Sequence, residues 1–238
     1  MSTGAEGGGM TKPDKPIGSK AYGSIPHIPG SRLGPGDYTI HQGQASICTT
    51  DARGRTVWVQ TKLDGSCVSV ARIDGGDLVA LGRAGYAAIT SPHQMHHVFD
   101  AWSTHHADRF AFLKPGERVV GEWLAQAHGT KYDLRDRPPF VAFDIMRGTT
   151  RATMGEFIDR AAGLLAIPDT ISGPIEPGAA MDTLDDYGAD EPEGVVYRVE
   201  HNGAVEFLAK WVHADKVDGK YLFGDPVWNW VDTDGGAT

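Results

Sequence analysis

Residues 61–70 read TKLDGSCVSV, and the place of Lys62 within them decides how the rest of the chain is read. Upstream, TVWVQT is rich in β-branched and aromatic side chains. Downstream, CVSVARI places Val68, Val70 and Ala71 in near alternation. Both runs read as strands, and Asp64-Gly65 between them predicts a hairpin turn. A lysine at such a strand end is either a solvated side chain or a nucleophile at the edge of a phosphate pocket. Residues further along the chain choose between the two.

Outward from this point, strand signals dominate the first half. RTVWVQTKL, SCVSVARI and LVALGRAG are short β-rich runs separated by turns such as Asp74-Gly75-Gly76. SPHQMHHVFDAWSTHHADRFAFL reads as a helix, with Ser91 as its cap and Pro92 at its first position. RVVGEWLAQAHG and PPFVAFDIM return to strand. TMGEFIDRAAGLLAI is an amphipathic helix with Met154, Phe157, Ile158, Ala161 and Leu165 on one face. EGVVYRVEHNGAVEFLAKWV is a hairpin turning at Asn202-Gly203. The order of elements predicts an α+β fold on antiparallel sheets rather than an alternating βαβ chain.

The 238 residues suffice for a sizeable core, and 40% hydrophobic with 22% charged residues is ordinary for a globular chain. No apolar run reaches the roughly 18 residues of a membrane span, and no secretory signal is visible at the N-terminus. Cys48 and Cys67 are too few for a disulfide framework, which predicts a reducing, cytoplasmic setting. A net charge of −9 argues against a broad basic surface for nucleic acid. It leaves room for a local grip. Residues 1–18 are Gly-rich and lack large apolar groups, so they predict a flexible arm; 231–238 predict a flexible tail around a body spanning 19–230. The Gly/Pro-rich run AYGSIPHIPGSRLGPGD predicts a loop that wraps the body.

Chemistry-bearing residues interrupt the apolar strands: Lys62, Arg83, Glu122, Phe143-Asp144, Glu193 and Lys210. Buried carboxylates and lysines require partners, a metal or phosphate. The segments KLDG, GEW, FDI, EGVVYR and AKWV resemble, in order and spacing, the signature motifs of covalent nucleotidyltransferases, the ATP-dependent ligases and mRNA capping enzymes. GEWLAQAHGTKYDL and AKWVHADKVDGKYL most resemble the RNA ligase family.

The resemblance implies a nucleotidyltransferase domain over 19–230, without a following oligonucleotide-binding barrel, since 28 residues (238 − 210) follow Lys210. It implies ATP as substrate, Mg²⁺ or Mn²⁺ as metal, and RNA carrying 5′-phosphate and 3′-hydroxyl ends as partner, with a possible protein partner for substrate grip. Lys62 would form lysyl-AMP. A free lysine with a pKa near ~10.4 is protonated at neutral pH, so its surroundings must lower that value. Backbone groups of Val59, Gln60 and Thr61 would read the adenine edge, and Phe143 would stack on the ring. Arg83 would meet the nucleotide sugar or the incoming 5′-phosphate. Glu122 would bind ribose or help Glu193 hold the metal. Lys210 would touch the α-phosphate. Asp144 would support the site.

Two departures stand out. The last motif often carries two lysines one residue apart, but here Lys210 is followed by Trp211 and Val212, leaving Lys216 as a possible substitute. Cys67 stands where RNA ligases often carry asparagine, which bears on the joining step; it also reads as a small buried hydrophobe. His93, His96, His97, His105 and His106 read as a solvated helix face able to help bind polynucleotide rather than as a metal site. The alternatives to RNA joining are a DNA ligase or GTP-using capping-type enzyme, and a nucleotide- or RNA-end-binding module without the joining step.

Overall fold

The computed structural model describes residues 14–230. In chain order these residues form α1 (Gln42–Thr49), β1 (Thr56–Lys62), β2 (Ser66–Arg72), β3 (Leu78–Gly82), α2 (Gln94–His105), β4 (Glu117–Trp123), β5 (Phe140–Arg147), β6 (Thr150–Arg151), α3 (Met154–Ala161), β7 (Thr170–Ser172), α4 (Pro177–Met181), β8 (Gly194–His201) and β9 (Ala204–Val212). The strands make two antiparallel sheets, ordered β7-β1-β8-β9 and β3-β2-β4-β5-β6. The expected α+β class on antiparallel sheets is what the chain adopts.

The hairpin expected at Asp64-Gly65 does not form. β1 pairs with β7 and β8, whereas β2 pairs with β3 and β4, so residues 63–65 carry the chain from one sheet to the other. A Cβ on Gly65 would lie 2.4 Å from the Trp123 carbonyl oxygen, so the crossing needs glycine for close approach rather than for a turn. The Asn202-Gly203 hairpin does form, with left-handed backbone at both residues.

Strand alternation sorts side chains into layers. Val57 and Val59 of β1, Val195, Tyr197 and Val199 of β8, and Ala209 of β9 face outward from the first sheet and pack with Ile47 and Cys48 of α1 and Ala180 of α4. Val68 and Val70 of β2, with Val119 and Trp123 of β4, face outward from the second sheet and pack with Phe99 and Trp102 of α2 and Phe157 of α3. The inner faces meet around Tyr22, Val120, Met146 and Leu208. Polar residues on these inner faces are thereby directed into one cleft.

A register shift between β4 and β5 leaves Phe143 as an extra residue, with Val120 opposite Asp144 and Gly121 opposite Ala142. Such a bulge re-aims side chains. Here Phe143 and Asp144 both join the inner side. Asp144, fully buried, pairs with Arg151 and lies 3.0 Å from the buried Arg198 guanidinium. Arg198 also donates to the carbonyls of Ala152 and Phe143, at 2.8 and 3.1 Å. Asp144 thus ties β8 of one sheet to β5 of the other.

Other boundaries shift. α2 begins at Gln94, not after Ser91: the Ser91 hydroxyl accepts the His93 amide at 3.2 Å and pairs with the His96 ring at 2.7 Å, holding the chain in a turn before the helix. α3 ends at Ala161, where Ala162 turns extended. The short α1, β7 and α4 escape the sequence reading because each is too brief for a periodic signal. The 21–37 run wraps the body as expected, with the Ile28 amide donating to the Lys210 carbonyl at 2.9 Å. Of the expected N-terminal arm, residues 14–18 include a turn from Lys15 to Gly18 and an Ile17 packed beside Ala21, Ala71 and Leu81. Its remainder, and the 231–238 tail, lie outside the described residues.

Removing one member of a buried ion pair strands its partners' charge, typically at a cost of about 3–5 kcal/mol. Asp144→Ala should lose about that much in urea or guanidinium unfolding. A change within error of the parent would show that Asp144 does not hold the sheets together.

Candidate active site

The inter-sheet cleft is lined by Gln60, Thr61 and Lys62 of β1, Cys67 of β2, Arg83 just after β3, Glu122 of β4, Phe143 of β5, Val196 and Arg198 of β8, and Leu208 and Lys210 of β9. Tyr22 and Ile25 close it from the N-terminal loop. The alternation that turns Val57 and Val59 outward turns Gln60 and Lys62 inward. Two of the expected site residues, Val59 and Glu193, are not among the cleft-lining side chains: Glu193 stands at the edge, bonded to Lys62, and Val59, expected to act through its backbone, has its side chain fully buried in the outer apolar cluster.

Lys62 donates to Glu193 Oε2 at 2.6 Å, with the two side chains only 20% and 10% exposed. Glu193 lies one residue before β8, and Gly194 pairs with Lys62 in register. A Cβ on Gly194 would meet the Trp211 carbonyl oxygen at 2.0 Å, so the glycine lets β8 and β9 close tightly behind this pair. Burial pulls the Lys62 pKa down, but the charges of Glu193 and Glu122 outweigh it and hold the pKa above its ordinary value. Burial likewise raises the Glu193 pKa, against the pull of Lys62. In the free protein Lys62 is a cation and not a nucleophile.

Glu122 is the least compensated group. Burial raises its carboxyl to about 8, with Lys62 opposing and Glu193 adding to the shift. One oxygen accepts the Gly65 amide at 3.0 Å. Two hard carboxyl groups, one of them raised chiefly by burial, form a donor set suited to Mg²⁺ or Mn²⁺. Among the described residues no group of three or more His, Cys, Asp or Glu side chains is arranged as a metal cage. An ion here would draw its remaining oxygens from a ligand or water.

Cations face these carboxylates from the other walls. Lys210 has its pKa lowered by burial first and by Lys62 second. Its ammonium lies 3.8 Å from Asp37, which in turn contacts the buried His27 at 3.0 Å. Arg83 is exposed and donates to the Gly23 carbonyl at 3.0 Å, leaving the rest of its fork at the cleft mouth. Phe143 stands edge-on to Tyr22, with ring centroids 5.3 Å apart. Cys67 sits between Glu122 and Arg83, and burial pushes its thiol pKa up, so it is a neutral small side chain in the wall.

Lys216 does not line the cleft. Its buried ammonium pairs with Asp64 Oδ2 at 2.8 Å and with the Thr130 hydroxyl. The same Asp64 oxygen accepts the Gly129 amide at 2.8 Å, and the Asp64 amide donates to the Tyr132 hydroxyl at 2.7 Å. These contacts lock the 63–65 crossing, and with it Lys62, from behind. Arg198 and Tyr22 were missed by sequence reasoning. The alternation of Val195, Tyr197 and Val199 could have turned Arg198 inward; nothing in the irregular run around Tyr22 announces its place.

The Glu122 shift predicts a pH dependence. An acid with a raised folded pKa favours folding below its ordinary value, and that contribution disappears as pH rises through about 8. In metal-free buffer the melting temperature should fall between pH 7 and 9, and Glu122→Gln should fall less by a few degrees, since about 1 kcal/mol moves Tm by about 2–4 °C at this length. Parallel pH profiles for the two proteins would place Glu122 in water rather than in a desolvated wall.

A family model described as RNA ligase matches residues 55–212. A search of curated proteins returned no significant match. Among solved structures, an archaeal ATP-dependent RNA ligase is similar at 18% identity and a TM-score of 0.47, covering 80% of this chain and 48% of that one. A Naegleria gruberi RNA ligase variant with ATP and Mn is similar at 16% identity and a TM-score of 0.48, covering 79% and 59%. An apo variant of the same ligase is similar at 14% identity and a TM-score of 0.49, covering 85% and 60%. The chain thus spans about half to three-fifths of the length of these structures. The family match takes in β1 through β9, more than half of the chain, and on that match this protein belongs to the RNA ligase family.

Proposed function

We propose that this protein is an ATP-dependent RNA ligase that works through a lysyl-AMP intermediate. The observation that carries the reading is Lys62 bonded to Glu193 in a cleft that also holds Glu122, Phe143, Arg83 and Lys210. A nucleotide-binding module without chemistry has no use for a buried lysine between two carboxylates.

The purine would lie against Phe143 and the apolar wall of Ile25 and Leu208, a flat ring on a flat ring. With the triphosphate reaching Lys62, the deprotonated Nζ attacks the α-phosphorus. An N–P bond forms, the bond to pyrophosphate breaks, and AMP stays on the lysine. Lys210 neutralises the α-phosphate as negative charge moves to the leaving group. A Mg²⁺ or Mn²⁺ ion held by Glu193 and Glu122 would offset the carboxylate field that keeps Lys62 protonated, and would neutralise phosphate charge. AMP then passes to the 5′-phosphate of an RNA end near Arg83. Attack by a 3′-hydroxyl releases AMP and seals the strand.

With α-labelled ATP and a divalent metal, the parent should retain label through denaturing electrophoresis, and Lys62→Ala and Lys62→Arg should not. Either variant labelling like the parent would move the nucleophile elsewhere. Losing one preorganised charge typically costs about 10²–10³ in rate, so Lys210→Ala and Glu193→Ala should slow single-turnover labelling by about that factor.

Arg83→Ala separates binding of the nucleotide from use of the RNA end. It should label at close to the parental rate and then seal a 5′-phosphorylated RNA slowly from the adenylylated protein. A labelling defect as large as its sealing defect would assign Arg83 to ATP instead.

A further inference from the structure

A groove larger than the Lys62 cleft adjoins it and shares Cys67 and Arg83 as common wall. It is built from the end of β3, the N-terminal turn of α2, the segment after β4 and the stretch that includes Trp228. The chain carries 31 Asp and Glu residues and a net charge of −9, yet among the described residues none that lines this groove is acidic. Its walls present Arg83, His93, His96 and His128 beside the rings of Tyr86 and Trp228. Trp228 is 40% exposed, an uncovered indole at the groove wall.

These features fit together. A polyanion is repelled by most of so acidic a surface and meets no acidic side chain among the described residues that line this groove. The N-terminal end of α2 carries no side-chain cap and adds its positive dipole end to the same wall. Exposed aromatic and imidazole rings offer faces on which unpaired bases stack whatever their sequence. A duplex would have no use for those faces, because its bases are already stacked. Burial lowers the pKa of His96 and of His128, so both are neutral donors and acceptors near pH 7.

We propose that this groove holds the single-stranded RNA segment next to the end that is joined at the Lys62 cleft, with Arg83 at the junction. The inference rests on the proposed ligase reading and adds to it the strand state of the substrate and its path. His93, Gln94 and Trp228 line the groove and not the cleft, so they act on RNA and not on ATP.

The test is fluorescence anisotropy with a short, dye-labelled, 5′-phosphorylated single-stranded RNA, without ATP and at fixed salt. The parent should bind, and His93→Glu and Trp228→Ala should each bind about tenfold more weakly. Gln42→Glu adds the same single negative charge in α1, outside the groove, and should stay within about twofold of the parent. Melting curves near the parent's confirm that each variant is folded. The same RNA annealed to a complement should bind the parent more weakly than the free strand. The inference is overturned if the parent does not bind, if His93→Glu and Trp228→Ala bind like Gln42→Glu, or if the duplex binds as tightly as the single strand. Because no ATP is present, a failure of lysine labelling would refute the ligase chemistry without changing the outcome for the groove.

Discussion

The contact between Lys62 Nζ and Glu193 Oε2, at 2.6 Å, is the interaction around which the rest of the structure is arranged. Two charges with little access to water are tolerated only where geometry and further partners repay their desolvation. The fold supplies both. Lys62 ends β1 and Glu193 precedes β8, two neighbouring strands of one sheet, so backbone pairing brings the side chains together. Glu122 reaches toward the pair from the other sheet and, by accepting the Gly65 amide, fixes the crossing that follows Lys62. Behind the crossing, Asp64 and Lys216 form a second ion pair that anchors it to Gly129, Thr130 and Tyr132. The lysine is held in place but protonated. Its resting state is the stable pair, and reactivity requires that the negative field around it be offset.

That requirement explains the uneven charge distribution of the cleft. The carboxylates cluster at the Lys62 end, the cations Arg83 and Lys210 lie on other walls, and the aromatic pair Tyr22 and Phe143 stands beside the buried Asp144–Arg151–Arg198 network. The network spans the sheets, and the β5 bulge that creates it also directs Phe143 inward. Structural support and ring placement are therefore consequences of one irregularity.

Much of this was legible in the sequence. Charged residues in apolar strands stand out because burial without partners is costly, and Lys62, Glu122, Phe143 and Lys210 do converge on one cleft, with Glu193 bonded to Lys62 at its edge. What was not legible is nonlocal. Asp64-Gly65 between two β-rich runs has the local chemistry of a hairpin, and only the partners of β1 and β2, many residues away, make it a crossing between sheets. Val59, expected to contribute its backbone, has its side chain on the opposite face by strand parity. The bulge at Phe143, the inward turn of Tyr22 and the burial of Lys216 against Asp64 leave no periodic signature, because each is set by tertiary packing.

The most direct test of the account is to find where AMP becomes attached. The protein would be incubated with ATP and a divalent metal without RNA, digested under non-acidic conditions, and its peptides read by mass spectrometry. The account predicts a single adenylyl group, bound through nitrogen to the lysine of the TKLDG peptide, with pyrophosphate released in step with it. An adenylyl group on Lys210, Lys216 or any other residue, or its absence from a folded protein that binds ATP, would contradict it.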